Sequence, residues 1–224
     1  MSAYFITGTG TDIGKTWLSC ALLRHWRETG MSTRAYKPVL SGYTASDAKL
    51  SDAGQLLAAQ GIDVNANSID EIAPWRFAAP LSPDMAAALE GREISFTELL
   101  AYTQRRVTST NWRAEHTLVE AVGGVMVPLD ATHTVRDWIA ASALPCLLVA
   151  GSYLGSLSHT LSALAALREV NVEVKAIVVN ESLASSVVLA DCIASLQRHA
   201  DPLPCMAIHR DSPASGIARL AAML

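Results

Sequence analysis

The feature that most constrains this chain is a glycine-rich segment, residues 8–16, between an apolar run and an amphipathic run. Residues 4–7 are expected to form a buried strand, and apolar residues recur at helical spacing from Lys15 to Glu28. A strand, a glycine-rich turn and a helix that begins with Gly-Lys-Thr form a phosphate-binding loop. Small residues let several backbone N–H groups face one anion, and the helix N-terminus adds its positive dipole end. The pattern therefore predicts a nucleotide hydrolase or transferase.

Two side chains of this loop have chemical roles in such a site. Lys15 is expected to reach the terminal phosphates, and the hydroxyl group of Thr16 is placed to ligate Mg²⁺. The common motif has glycine five positions before the Gly-Lys pair, but Thr9 stands there, flanked by Gly8 and Gly10. The segment is thus a variant of the motif, and the alternative is a glycine-rich turn that binds no ligand.

Composition limits the classes of protein to which the chain can belong. Its 224 residues are 50% hydrophobic and no linker-like stretch divides them, so we expect one domain spanning 1–224. The formal charge of −4 gives no reason to expect a nucleic-acid partner. With no export signal and no membrane-spanning run, we expect a cytoplasmic protein without a membrane partner. The four widely separated cysteines are expected to be reduced core thiols.

Strands and helices alternate along the rest of the chain. Apolar strands are expected at 33–39, 117–120, 145–150, 172–179 and 204–208. Helices are expected at 53–59, 84–89, 95–108, 133–142, 156–168 and 186–199 and from Pro213, whereas 65–90 is otherwise rich in loops. This order predicts an α/β fold, a doubly wound, mainly parallel sheet with helices on both faces. Right-handed crossovers would bring the loops that follow the strands to one edge.

Several polar residues lie where those loops meet. Lys37 is either a second cation near the phosphates or a surface lysine. Asp52 opens a helix, where capping is the simpler role and metal binding the other, and Asp47 competes for the latter. Glu120 ends a strand where Mg²⁺ gathers in such sheets, although it also suits a turn cap. Asn180 ends another strand and either contacts a purine or, as spacing alone favours, forms a turn.

With these residues collected, the sequence resembles the dethiobiotin synthetases, the ATP-dependent cyclo-ligases of biotin biosynthesis. The resemblance runs over nearly the whole chain, and it rests on Gly8-Thr9-x-Thr11-x-x-Gly14-Lys15-Thr16, Tyr36-Lys37-Pro38-Val39-x-Ser41-Gly42, Ser51-Asp52-Ala53, Phe77-Ala78-x-Pro80-x-Ser82-Pro83, Leu118-Val119-Glu120-x-x-Gly123-Gly124, Pro128-Leu129, Asp137-Trp138, Leu154-Gly155-x-x-x-His159 and Asn180. Several motifs in the family's order are far more specific than a phosphate-binding loop alone.

The resemblance implies 7,8-diaminononanoate, CO₂ and MgATP as substrates. In the family's reaction a carbamate forms on one amine, its oxygen takes the γ-phosphoryl group, and the second amine closes a cyclic urea with loss of phosphate. The resemblance also implies a homodimer in which the segment 154–158 of one subunit completes the site of the other at the interface.

The roles of individual residues carry over from the family by position. Catalytic roles are implied for Lys37, Lys15, Thr11 and Ser41. Contacts to the nucleotide are implied for Asp12, Ile13, Gly14, Lys15, Thr16, Leu18, Glu120, Gly123 and Asn180. Contacts to the diamine and carbamate are implied for Thr11, Asp12, Lys37, Ser41, Leu154, Gly155 and Ser158. Mg²⁺ would be held by Thr16, Asp52 and Glu120, an oxygen-rich set that suits this ion.

The chain departs from the family pattern at several positions. Gly10 stands where Asp is usual, Asp12 where Glu is usual and Ser158 where Asn is common, and 206–209 lacks a common Gly-x-Ile-Pro pattern. Ala121 replaces a glycine, and we expect its methyl group near the phosphates. Two alternatives therefore remain. One is a nucleotide-binding relative that makes no dethiobiotin, and the other is a regulatory ATPase of the kind that positions plasmids or division proteins.

Overall fold

The structure, a computed structural model, describes residues 2–108, 114–183 and 185–224. Its strands are β1 (Ser2–Gly8), β2 (Thr33–Tyr36), β3 (Val39–Ser41), β4 (Trp75–Phe77), β5 (His116–Glu120), β6 (Cys146–Gly151), β7 (Val174–Asn180) and β8 (Cys205–Ile208). Its helices are α1 (Lys15–Glu28), α2 (Asp52–Gln60), α3 (Ala66–Ile72), α4 (Pro83–Leu89), α5 (Phe96–Thr108), α6 (Val135–Ser142), α7 (Ser156–Glu169), α8 (Leu189–Ala200) and α9 (Ala214–Met223).

Six of these strands form one parallel sheet in the order β2-β5-β1-β6-β7-β8. The central strand β1 pairs with β5 on one side and with β6 on the other, and Ile6 lies opposite Glu120. Because the strands are parallel, their carboxyl ends meet at one edge, where an α/β sheet binds its ligands. The loop after β1 therefore lies beside the end of β5, as the sequence predicts.

Helices cover both faces of the sheet, which confirms the doubly wound α/β fold. Successive residues of a strand point to opposite faces, so Tyr4 and Ile6 pack with α1, α2 and α9, whereas Phe5 packs with α6 and α7. Phe5 meets the ring of Trp138 edge-on, with ring centroids 4.7 Å apart. Burial on both faces explains why the strands are apolar throughout. All four cysteines are free and buried, as expected.

The prediction of one strand at 33–39 was wrong. The segment divides at Lys37 and Pro38: β2 pairs with β5 in the main sheet, whereas β3 pairs with β4 in a separate two-stranded sheet. Proline has no N–H group to donate to the ladder, so the strand pairing ends there. The division turns Lys37 out of the sheet and toward the site described below.

The segment 65–90 also contains more structure than the sequence predicted, because α3 and β4 lie within it. Asn65 and Ser68 form a reciprocal capping box at the start of α3. The other helices and strands begin and end within three residues of their predicted positions. Among the described residues, no helix is both long and apolar enough to cross a membrane.

Candidate active site

The glycine-rich loop joins β1 to α1 at the carboxyl edge of the sheet. Gly14 caps α1 with a φ of 87°, and a Cβ atom there would lie 2.5 Å from Nδ2 of Asn180. The φ angle is strained for any residue with a side chain, and a Cβ atom would also push the amide of Asn180 out of its position. A Cβ atom on Gly124 would likewise lie 3.1 Å from the carbonyl oxygen of Thr9. The loop thus packs closely against the segments at Asn180 and Gly124. This packing holds its backbone N–H groups in one arrangement, which suits anion binding.

Lys15, the first residue of α1, places a buried cation under the loop. Its Nζ atom donates to the carbonyl oxygen of Gly10 at 2.6 Å. Burial, together with repulsion from Lys37, lowers the pKa of Lys15 from 10.5 to about 8. An anion beside this ammonium group would favour its charged form. Lys15 is therefore suited to bind phosphate, as the sequence predicts.

Glu120 is the centre of a buried polar cluster at the end of β5, and it is only 1% exposed. Its Oε1 atom accepts from Oγ1 of Thr16 at 2.6 Å and from Nζ of Lys37 at 2.8 Å, and its Oε2 atom accepts from Oγ of Ser19 at 2.7 Å. These donors offset the large free energy of burying a carboxylate. Glu120 therefore faces the phosphate-binding loop, and the alternative of a turn cap is wrong.

Lys37 is 2% exposed, so the alternative of a surface lysine is also wrong. Its Nζ atom lies 2.8 Å from Oε1 of Glu120, 2.9 Å from the carbonyl oxygen of Ala121 and 3.1 Å from Oδ2 of Asp52. Burial alone would lower the pKa of Lys37, but attraction to the two carboxylates outweighs it and raises the pKa above 10.5. Lys37 is therefore a permanent cation at neutral pH.

Ser51 caps α2, which leaves the carboxylate of Asp52 available to the site. The Oγ atom of Ser51 accepts from the backbone N–H of Gly54 at 3.1 Å. Burial opposes ionisation of Asp52, but Lys37 outweighs it and lowers the pKa of Asp52 below 3.8. Asp47, the competing candidate, is exposed in a short 3-10 turn. The structure therefore brings Asp52 to the cluster.

Thr16, Asp52 and Glu120 supply a hydroxyl group and two carboxylates, which are the oxygen ligands that Mg²⁺ prefers. Within 2–108, 114–183 and 185–224, no group of three or more His, Cys, Asp and Glu residues is arranged to hold a metal ion. Mg²⁺ commonly uses one or two carboxylates and completes its shell with phosphate and water. The residues thus fit an ion held jointly with a bound nucleotide.

Two cavities adjoin the loop. The first, which we call the lysine cavity, has a volume of about 560 Å³, and its lining includes Thr11, Lys15, Thr16, Lys37, Ser41 and Asp52. The second, which we call the asparagine cavity, has a volume of about 550 Å³, and its lining includes Ile13, Asn180, Glu181, Ile208, His209 and Arg210. Asp12, Gly14 and Trp17 line both cavities. Gly123 lines the lysine cavity as well.

Asn180 connects the end of β7 to the loop, so it is not the turn residue that spacing alone favoured. Its Nδ2 atom donates to the carbonyl oxygens of Ile13 at 2.8 Å and Gly14 at 3.3 Å. These bonds orient the amide and leave Oδ1 buried without a hydrogen-bond partner. A buried acceptor without a donor is destabilising, and the amino group of a purine would satisfy it.

Two expectations about single side chains were wrong. Leu18 is fully buried in the core beside Leu22 and lines neither cavity, because helical spacing turns it toward the sheet. The methyl group of Ala121 is also fully buried and packs in the core with Val119, so it does not lie near the phosphates. Successive residues here face opposite sides, so Glu120 faces the site and Ala121 the core.

Leu154, Gly155 and Ser158 lie at the start of α7 and line neither cavity. The side chain of Leu154 is 82% exposed. Their contact with substrate therefore remains a prediction that requires a second subunit.

Sequence reasoning missed Ser19, which lies one helical turn after Thr16 on the same face of α1. Replacing Ser19 with alanine should lower the free energy of unfolding by about 1–3 kcal/mol, because Oε2 of the buried Glu120 loses its donor. We also expect turnover to require more Mg²⁺. Urea unfolding and a Mg²⁺ titration of turnover would measure both effects.

Ser142 offers a matched control, since its buried hydroxyl group donates only to the neutral carbonyl oxygen of Trp138. Ser142→Ala should cost about 1 kcal/mol and leave the Mg²⁺ requirement unchanged. Equal effects of the two substitutions on the Mg²⁺ requirement would show that Ser19 does not position Glu120.

The fold and the site together define a P-loop nucleotide-binding protein. A family model described as an AAA domain matches residues 2–206. The chain is similar to three ATP-dependent dethiobiotin synthetases. It is 47% identical to that of Acidiphilium cryptum over 95% of each chain, and 42% identical to that of Phenylobacterium zucineum over 96% of this chain and 92% of the relative. It is 40% identical to that of Methylobacterium nodulans over 97% of this chain and 98% of the relative. The chain therefore belongs to the dethiobiotin synthetase family.

Two solved structures share the fold. They are the MinC:MinD cell division complex of Aquifex aeolicus (TM-score 0.58, 11% identity; 99% of this chain, 94% of that chain) and apo McdA of Cyanthece (TM-score 0.57, 11% identity; 99% of each). Identity at this level supports a common architecture only. The relatives at 40–47% identity favour a synthetase over a regulatory ATPase.

Proposed function

We propose that this protein uses ATP to join CO₂ to 7,8-diaminononanoate and to close the product as the cyclic urea dethiobiotin. The observation that carries the proposal is that Lys15, Thr16, Lys37 and Asp52 line one cavity, with the carboxylate of Glu120 bound to Thr16 and Lys37. This arrangement of residues occurs in a chain that is 47% identical, over 95% of its length, to a protein named ATP-dependent dethiobiotin synthetase.

In this proposal ATP lies across both cavities. The loop and Lys15 hold the phosphates, and the unpartnered Oδ1 atom of Asn180 accepts from the adenine amino group. Mg²⁺, when bound, neutralises charge on the transferring phosphoryl group. Thr16, Asp52 and Glu120 would hold it.

Lys37 would stabilise the carbamate and the phosphoryl group that it receives. All three of its N–H donors already have protein acceptors, so it reaches substrate by exchanging one of them. Asp52 is the acceptor to exchange, because it is the most distant of the three and its side chain is 37% exposed. A fixed cation beside the reacting amine also disfavours protonation of that amine, and only a neutral amine can attack CO₂.

Ser41 and Thr11 line the same cavity and would bind the diamine and carbamate. The Oγ atom of Ser41 is buried and has no hydrogen-bond partner, so a substrate amine or carbamate would satisfy it. Thr11 also borders an open groove that runs between the loop and α7 and includes His159. This groove would give the carbon chain of the diamine a path along α7 past His159.

We propose that the molecule is a homodimer and that the segment 154–158 of each subunit completes the site of the other. The side chain of Leu154, just before α7, is 82% exposed, which supports this arrangement. Size-exclusion chromatography with light scattering would test the oligomeric state.

The function itself is tested by incubating the purified protein with MgATP, bicarbonate and the diamine, and by detecting the cyclic urea by mass. We expect product only when all three substrates are present, with one ADP per product. ATP hydrolysis that ignores the diamine would favour the regulatory ATPase. Nucleotide binding without product would favour the relative that makes no dethiobiotin.

A further inference from the structure

Trp17 is an aromatic residue with no assigned role, and it lies in the first turn of α1 directly after Thr16. It is 42% exposed, although Leu18, Leu22 and Leu23 of the same helix are fully buried. In the part of the chain that the structure describes, no hydrogen bond or ring contact to its indole group is present. A single exposed apolar residue is common on protein surfaces, but Trp17 lies beside the phosphate-binding loop.

Trp17 forms part of the wall shared by the two cavities. Together with Asp12 and Gly14, it lines both the lysine cavity and the asparagine cavity. Lys15 and Thr16 lie in the first of these, and the unpartnered Oδ1 atom of Asn180 belongs to the second. A nucleotide with its phosphates in one cavity and its base in the other must therefore pass the indole ring.

We propose that the indole ring of Trp17 packs against the nucleoside part of the bound nucleotide and supplies a large share of its affinity. This inference rests on the proposed function, from which it takes ATP as the nucleotide. The ring face contacts a surface that all nucleobases and their riboses share. Asn180 would contact the edge that distinguishes one base from another. Base selection and nucleoside affinity thus belong to different residues.

The test compares two ligands and three variants by calorimetry, without the diamine. The ligands are MgATP and magnesium tripolyphosphate, which has the phosphates but no nucleoside. Trp17→Leu should bind MgATP about tenfold more weakly than the unmodified protein, because a flexible aliphatic group replaces the aromatic face. Its affinity for tripolyphosphate should stay the same, and Trp17→Phe should retain MgATP affinity within about threefold.

Met31→Ala is the matched control. Met31 follows the far end of α1, is 39% exposed and lines neither cavity, so both affinities should stay unchanged. Tryptophan fluorescence gives a second readout. MgATP should change the emission of the unmodified protein, and this change should disappear in Trp17→Phe although the other four tryptophans remain.

Three results would overturn the inference: unchanged MgATP affinity in Trp17→Leu, an equal loss for both ligands, or a loss in Trp17→Phe as large as in Trp17→Leu. The second would mean that the substitution distorts the loop. The outcome is separable from that of the proposed function, because no diamine is present. If the unmodified protein makes no dethiobiotin but Trp17→Leu still weakens the binding of MgATP and not of tripolyphosphate, the inference is supported. A protein that binds no MgATP contradicts both proposals.

Discussion

Replacing Lys37 with methionine should lower the rate of dethiobiotin formation about a thousandfold, because a preorganised charge in a buried site is among the strongest catalytic contributions. Methionine keeps the apolar stem but removes the ammonium group that we place beside the carbamate. Affinity for MgATP should not fall, since Asp52 and Glu120 lose a competing cation. Product formation by mass and MgATP binding by calorimetry would measure the two effects.

The same substitution should also destabilise the fold, which must be measured so that lost activity is not mistaken for unfolding. Removing one partner of a buried ion pair costs about 3–5 kcal/mol, and Glu120 is 1% exposed. The double variant Lys37→Met/Glu120→Gln should recover part of this loss because no buried charge is left uncompensated. Recovery of stability without recovery of turnover would separate the two roles of Lys37.

Lys175→Met is the control for loss of a lysine elsewhere. Lys175 is a 40% exposed residue of β7 that pairs with Glu173, and its loss should leave turnover unchanged. If Lys37→Met remained folded and made dethiobiotin at the normal rate, Lys37 would have no part in the reaction.

Replacing Gly54 with alanine should destabilise the protein, although the same change in an ordinary helix is stabilising by about 1 kcal/mol. A Cβ atom at this position of α2 would overlap the carbonyl oxygen of Ala48 and would lie 2.9 Å from Cα of Lys49. These are backbone atoms, which cannot move aside as a flexible side chain would. We expect the free energy of unfolding to fall by about 3 kcal/mol, the upper end for overpacking.

The substitution should also raise the Mg²⁺ requirement of turnover, because Asp52 begins the same helix and would be displaced from Lys37. Ala58→Gly, on the exposed side of α2, is the control and should cost about 1 kcal/mol through helix propensity alone. Urea unfolding would measure both variants. A Gly54→Ala variant as stable as the unmodified protein would mean that α2 and the segment 48–49 separate easily.

The sequence predicted the parts of the site that depend on local rules. The order of strand, glycine-rich turn and helix identified Lys15 and Thr16, and the parallel sheet predicted that Glu120 would lie near them. Local rules would also have corrected two errors. Helical spacing places Leu18 with Leu22 in the core, and strand alternation turns Ala121 away from Glu120.

The remaining features depend on contacts between segments that are distant in the sequence. The sequence did not decide whether Lys37 lies near the phosphates or on the surface. Its burial depends on the division at Pro38, the position of α2 and the end of β5 together. Asn180 reaches Gly14 across 166 residues. The need for glycine at position 54 comes only from the close approach of residues 48–49, which no periodicity in the chain reveals.

Because its three donors already have protein acceptors, Lys37 is less open to small anions than Lys15 and the loop are. A free phosphate ion that approaches Lys37 must displace the carboxylate of Asp52 from it. That carboxylate belongs to the same chain. Its effective concentration beside Lys37 is therefore about millimolar or above, as for two groups joined by a short linker. Inorganic phosphate, which the proposed reaction itself releases, should therefore compete only weakly with the carbamate for Lys37.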